Sequence, residues 1–450
     1  MSGMPLFQAL LLLASVIVLI VATQARYLHP FLAIVAIASA FGIAAGFSVG
    51  FLGKTFGTGF SQAIYSPGLV IVAAAFVAGL AESTTASDRL LAIIDRWRWQ
   101  GSTWIAALLG LIAGIGASPA AAFALLTPLL RPIGGGTMQK REAVTIALAL
   151  AISASHGLVL LSPVPIAAAA ILGAEWARVV LFGLPVALLL VAFGAVLARW
   201  LPVIRGASRL PMQEPHPLAA ERSGGSAIVL LLAAAIPLLM LMMQSLGDLP
   251  SEPLGGGAAR EMVLGLGRPL VLFIVGLGIM MVGHWRASLR LLGDSTWTGR
   301  VLSNVSSVLM IVGAAGGLQR LCQETGMAEL LGEQLLGWPG GLLVPFLIAA
   351  LIKTLQGSSL VAAIATAGMV QPILVPLGIG DENGRALATL AIGAGAMTVS
   401  HVNDEYFWLV ATSAGLSPLR GLAAVTVGTL LQGLIAVAAL LILFVLVSSF

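Results

Sequence analysis

The sequence predicts an all-α polytopic membrane protein of about 10–12 transmembrane helices, counting half-crossings, in two repeated, inverted halves with paired re-entrant hairpins or broken helices. Three observations carry this. Only 9% of the 450 residues are charged and 59% are hydrophobic, against roughly 25% charged in soluble globular chains. Apolar runs recur along the whole chain. A set of glycine, proline and Ser-His landmarks occurs twice, at nearly one offset.

The apolar runs are Leu6–Val21, Pro67–Leu80, Ala143–Ala154, Val179–Leu197, Ala227–Met243, Leu270–Val282, Leu342–Ile352 and Leu422–Val447. A helix crossing the hydrocarbon core needs roughly 20 residues, fewer where polar ends snorkel. The runs are too long for strands and lack the alternation of an outer-membrane barrel. The first run has no basic leader or small-residue cleavage site, so it reads as a membrane helix and not a signal peptide. Glycine (53) and proline (22) are abundant, and many fall inside apolar runs. In lipid such breakers are tolerated where backbone is buried in protein or lines a watery cavity. That points to broken helices.

Net charge is +4, and Arg89, Arg96, Arg98, Lys140, Arg141, Arg199, Arg205 and Arg209 sit near the ends of runs. This is the pattern of topology-setting loop charges, not of nucleic-acid binding. The single Cys322 excludes an internal disulfide and a cysteine metal cluster. No Walker A motif, dinucleotide fingerprint or metal-ligand spacing occurs. An ATP-driven pump, a cofactor and a bound metal are therefore not expected.

Residues 199–225 carry Pro202, Pro211, Pro215, Pro217, Glu214, Glu221 and several arginines. They read as a central hydrophilic loop, cytoplasmic by its positive charge. It divides the chain into a first membrane repeat, 1–198, and a second, 226–450. Each half has a glycine-containing break, Gly114-Ile115-Gly116-Ala117-Ser118-Pro119 and Gln356-Gly357-Ser358-Ser359. A small-residue helix follows, ending in Pro128 and Pro132 or in Pro372 and Pro376, pairs offset by 244 residues. Next come Ser155-His156 and Ser400-His401, offset by 245. Repeated half-bundles of this kind are a building plan of secondary transporters.

Four stations can carry chemistry. Lys353 precedes the Gly357-Ser358-Ser359 break, where a new helix N-terminus offers N–H groups and hydroxyls to an anion. The plainer alternative is a snorkelling lysine beside a packing glycine. Ser400-His401-Val402-Asn403-Asp404-Glu405 is a dense polar segment between apolar stretches. Intramembrane ionisable groups default to function. Asp404 can take up a proton or hold Na⁺, and His401 can titrate near neutrality. A surface loop anchored by Trp408 is the alternative. Ser153-Ala154-Ser155-His156-Gly157 is the counterpart in the first half, or else a packing histidine. Ser118, in the first break, can donate to an anion or coordinate a cation, or mark a kink.

These stations resemble the gluconate permease family of bacterial symporters. Leu355-Gln356-Gly357-Ser358-Ser359-Leu360-Val361-Ala362-Ala363-Ile364 is similar to the family's Gly-Ser-(small)-Thr-Val-Ala-Ala-Ile segment. Ser400-His401-Val402-Asn403-Asp404 followed by Phe407-Trp408 resembles its Ser-His-Val-Asn-Asp…Phe-Trp signature, and Ser155-His156-Gly157 its Thr-His-Gly. The chain departs at Leu158–Pro165, where the family has a Pro-Pro-His-Pro-Gly-Pro run, and near Ala120, where the family has an acid.

The resemblance implies a proton-linked carrier for sugar acids or other small hydroxycarboxylates. It also implies paired re-entrant hairpins, inverted repeats and a homodimeric scaffold in the bacterial inner membrane. On this reading Ser118, Ser155, His156, Lys353, Gly357, Ser358, Ser359 and Asn403 bind a small organic anion. Asp404, with His401, couples H⁺, or Na⁺ as the alternative. The lipid bilayer is the other partner, and nucleic acid is not one. An intramembrane enzyme would need convergent acids or a histidine cluster, and the acids are mostly scattered, so no enzymatic activity is expected. A channel is the third option.

Overall fold

The computed structural model describes residues 28–448 apart from 66, 97–101, 115–118, 135–137, 160–161, 201–223, 248–255, 327–329, 331–332 and 334–339; before 28 it describes only 7, 8, 10, 11, 14 and 18. Most of the central loop and Ser118 therefore lie outside the described residues. Among the described residues the chain is helical, with no β-strand.

The first half runs through α1 (Pro30–Ala44), α2 (Val49–Tyr65), α3 (Pro67–Ser83), α4 (Ala86–Arg96), α5 (Thr103–Ala113), α6 (Pro119–Gly134), α7 (Met138–Leu158), α8 (Pro163–Leu172) and α9 (Trp176–Trp200). The second has α10 (Ala227–Gly247), α11 (Gly257–Leu266), α12 (Pro269–Gly283), α13 (Trp285–Leu292), α14 (Ser295–Glu324), α15 (Leu343–Gln356), α16 (Ser359–Val370), α17 (Glu382–Ala396), α18 (Glu405–Ser413), α19 (Pro418–Gly421) and α20 (Val427–Ser448). A π-helical turn, Leu422–Thr426, joins the last two.

Among the described residues, four stretches are long and apolar enough to cross a bilayer: 138–172, 176–200, 295–324 and 418–447. Two bent pairs, α2 with α3 (41°) and α11 with α12 (58°), raise that to six. Six further apolar helices have only 10–17 residues. Apolar runs that count separately in the sequence thus resolve into full spans and half-length pieces. The exposed faces are apolar, as lipid requires: Leu181, Leu184, Leu188 and Leu189 on α9, and Leu434, Ile442 and Val445 on α20. By contrast, α7 is buried along nearly its whole length.

Helix starts follow ordinary capping chemistry. Ser102, Asp294, Ser358, Asp381 and Asp404 each accept a backbone N–H of the first turn. Proline occupies the first turn of α1, α8, α12 and α19, where its missing N–H costs nothing.

Half-length helices form two hairpins. α5 runs parallel to α7, with Gly110 against Leu148 and Ala151, and Gly114 against Ile152 and Ser155. α6 then returns, so that Gly134 packs on Arg141 at the start of α7. Hairpin α5–α6 therefore opens toward the end of the bundle where Arg199 donates to Thr103 and Arg420 pairs with Glu142. α15 runs parallel to α17, with Gly395 against Phe346 and Ala349, and His401 against Thr354. α16 returns toward the start of α17. That helix start is tied to α8 and α9 by Arg385 donating to the Leu172 carbonyl and Arg178 pairing with Glu382 at 2.5 Å. Hairpin α15–α16 opens toward this second end. α8 continues the direction of α7, and α18 that of α17, so these two broken spans run antiparallel. They cross where small residues let backbones touch: a Cβ on Gly393 would collide with the Gly157 carbonyl.

Candidate substrate site

The start of α6 and the tip between α15 and α16 converge on one cavity of about 200 Å³. Pro119 and Ala120 reach it from the start of α6, and Gly357, Ser358, Ser359 and Leu360 from the tip between α15 and α16. The breaks of the crossed spans supply Ser153, His156, Gly157 and Pro163 on one side and Met397, Ser400, Asp404, Glu405 and Tyr406 on the other. Lys353 and Gln319 complete the wall. The first residues of α6, α8, α16 and α18 all line it. Each helix start carries roughly half a positive charge.

The second tip is fixed by backbone geometry. Gly357 has φ +80° and ends α15, its N–H donating to the Lys353 carbonyl at 2.8 Å. A Cβ there would run into the Asn403 carbonyl. Ser358 caps α16, its Oγ accepting from Val361 N.

Charge is held in place beside the tip. Lys353 Nζ donates at 2.6 Å to Asp404 Oδ2 and at 2.6 Å to the Gly357 carbonyl. Asp404 Oδ2 also accepts from Ser400 Oγ at 2.6 Å, and Oδ1 caps α18 by accepting from Tyr406 N at 2.9 Å. The carboxylate thus has three donors. Ser400 is held in turn: its carbonyl accepts from Thr426 Oγ1 at 2.5 Å, and its N–H donates to Thr429 Oγ1 at 3.2 Å. Thr426 belongs to the π turn, a local distortion often found at functional sites. Before Ser400, Val399 adopts φ +48°, a strained conformation for a β-branched residue.

His401 and Asn403 face the end of α15. His401 Nε2 donates to the Thr354 carbonyl at 2.7 Å, and Asn403 Nδ2 to the Thr354 and Leu355 carbonyls at 2.9 and 3.2 Å. These carbonyls are orphans of a helix C-terminus, so both side chains act as its cap. Among the described residues, His401 Nδ1 and Asn403 Oδ1 are buried acceptors without a partner.

Of the residues singled out in the sequence, His156, Lys353, Gly357, Ser358, Ser359 and Asp404 meet at the cavity. His401 and Asn403 sit behind it, against α15. Ser155 points away, its Oγ donating to the Leu111 carbonyl of α5 at 2.6 Å. Ser118 lies outside the described residues, one position before Pro119. Ser153, Ser400 and Glu405 stand within the polar stations of the sequence without having been assigned to binding or coupling, and Tyr406 adjoins them. Gln319 and Met397 were not picked out as site residues.

A second cavity of about 280 Å³ adjoins the first, sharing Gln319, Ser358 and Glu405. Gln62, Arg320 and Gln323 give it a polar wall, and Gly59 and Gly316 sit where α2 and α14 touch. Among the described residues no group of three or more His, Cys, Asp or Glu side chains is arranged to hold a metal.

Comparison with known proteins places this architecture. The family model "GntP family permease" matches residues 7–447. The chain belongs to the GntP permease family. Within it, the chain is similar to the gluconate permease of Pseudomonas aeruginosa, at 28% identity over 88% of this chain and 89% of that one. The gluconate permease of Bacillus licheniformis is 25% identical over 96% and 97% of the two chains. The Gnt-II system L-idonate transporter of Escherichia coli is 25% identical over 89% and 90%. As a GntP permease with apolar, lipid-compatible faces, the chain is an integral membrane protein.

Proposed function

We propose that this GntP permease is a secondary active transporter that takes up gluconate-like sugar acids together with protons, across the bacterial inner membrane. The observation that carries the reading is the cavity between two hairpins, α5–α6 and α15–α16, which open toward opposite ends of the bundle. Four helix starts converge there, and the adjoining lysine is neutralised by Asp404. The net field of such a site favours a single anionic group.

Its polar lining suits a hydroxylated acid. Ser153, Ser358, Ser359, Ser400, Gln319 and His156 offer donors and acceptors to hydroxyls, while the helix starts and Lys353 face the carboxylate. At about 200 Å³ the cavity is smaller than the roughly 300–1,000 Å³ of drug-sized pockets, which suits a small metabolite. The relatives fit this chemistry: gluconate and L-idonate are both polyhydroxy monocarboxylates.

Proton coupling needs a carboxyl at the substrate cavity. Asp404 and Glu405 adjoin there, at the start of α18. We read the halves 1–198 and 226–450 as inverted repeats around this point. Rocking one set of hairpins and crossed spans against the remainder would expose the cavity to either side in turn.

Purified protein in proteoliposomes tests the proposal. Labelled gluconate should accumulate against its gradient when an inward pH gradient is imposed, and a Na⁺ gradient alone should not drive it. Failure of every small carboxylate tested to enter under either gradient would sink the transport reading.

A further inference from the structure

Among the described residues the acids lining the two cavities are Asp404 and Glu405, and Glu324 lies one helical turn beyond the lining Arg320. Asp404 is paired with Lys353, and Glu324 with Arg320 at 2.6 Å. Glu405 is different. It is half-buried, borders both cavities, and has no hydrogen bond or ion pair among the described residues. Among the described residues, these share its cavity walls. Lys353 approaches from α15, His156 from α7, Arg320 and Gln319 from α14, and Gln62 from α2, while Asp404 and Tyr406 flank it on α18. The described lining residues of α6, Pro119 and Ala120, carry no charge.

Resting on the transport reading above, we propose that Glu405 carries the coupling proton, and that the sugar acid binds only when this carboxyl is protonated. An ionised Glu405 would place a second negative charge on the wall of a site for an anion, in surroundings that screen poorly. Protonation removes that repulsion. It also turns an acceptor-only carboxylate into an O–H donor for the substrate carboxylate or a hydroxyl. The proton comes from water on the outer side through the open cavity, and no covalent bond of the substrate changes. Once the site faces inward, Glu405 loses the proton to water on that side. Its restored charge expels the anion. Asp404 is a poorer candidate because protonating it would strand the Lys353 ammonium and displace a donor.

Calorimetric titration of the purified protein with D-gluconate, in buffers of different ionisation heat, tests this. Wild type should take up one proton per anion bound over the pH range where Glu405 is ionised. There the Kd should rise about tenfold per pH unit. Glu405→Gln should take up none and bind with a Kd independent of pH. Glu405→Asp should restore the uptake. Position 405 faces open cavity, so Glu405→Ser serves as a second variant if Glu405→Gln does not fold, with the same expectation. A full proton taken up by the Gln or Ser variant, with the wild-type pH slope, would overturn the assignment and leave transport standing. Absence of both gluconate binding and gradient-driven uptake in wild type would instead remove the transport reading beneath it.

Discussion

Lys353 and Asp404 stand 51 positions apart in the chain and meet at 2.6 Å, with side chains only 4% and 7% exposed. The lysine ends one half-helix and the aspartate begins another, so this ion pair ties the α15–α16 tip to the break after α17. A buried pair is weak evidence for stability as it stands, but removing one partner strands a charge at a cost of about 3–5 kcal/mol. Lys353→Met and Asp404→Asn should each lower the melting temperature in detergent and abolish uptake. The double variant Lys353→Met/Asp404→Leu should recover much of the stability and none of the transport. Single variants as stable as wild type would show that the two charges are not coupled in this way.

Gly357 sits at φ +80° with its Cα against the Asn403 carbonyl. Gly357→Ala adds strain of about 1–3 kcal/mol from the left-handed backbone and forces the tip off Asn403. Reduced thermal stability and a substrate KM raised at least tenfold are expected. Wild-type kinetics in this variant would mean that the tip does not form the substrate wall.

Much of this site was legible in the chain. The Gly-Ser-Ser break announced a helix start, and the Ser-His-Val-Asn-Asp segment announced polarity where lipid forbids it unless protein surrounds it. Pairing across 51 residues was not legible, because nothing local specifies which acid a lysine will meet. Neither was the face each residue presents. On α7, Ser153, His156 and Gly157 share one helical face through their i, i+3, i+4 spacing and line the cavity. Ser155 is rotated away by the 3.6-residue period and bonds to α5. Gln319 was not picked out as a site residue, since a glutamine on a 30-residue helix points to a cavity only once its neighbours are placed. The second hairpin tip was located in sequence at Ser358, whereas the first break, read near Ser118, falls on residues outside the described ones.

His156 brings an imidazole to the cavity from the first half, opposite Lys353 and Asp404 from the second. A hydrogen bond to a charged group contributes about 1.5–3 kcal/mol. His156→Ala should therefore weaken gluconate binding by one to two orders of magnitude, measured as Kd by calorimetry and as KM in proteoliposomes. Binding of wild-type strength for every sugar acid tested would place His156 in packing alone.

Charge balance around the cavity sets the driving force. Lys353 cancels Asp404, and Arg320 cancels Glu324, so neither pair adds net charge to the moving site. A monocarboxylate that enters with one proton brings no net charge: the loaded site carries the anion's negative charge over a neutral Glu405, and the empty site carries that of the ionised Glu405. Both steps therefore move one negative charge, in opposite directions, and the complete cycle is electroneutral. An empty site that returned with Glu405 still protonated would carry the proton back out and uncouple uptake from the pH gradient. At steady state the accumulation ratio of gluconate should follow the pH gradient and be independent of the membrane potential, whatever the potential does to the rates of the two steps. Proteoliposomes clamped with potassium and valinomycin measure this. Accumulation driven by an inside-negative potential at zero pH gradient would mean that net positive charge enters with each anion, and would rule out one proton per monocarboxylate.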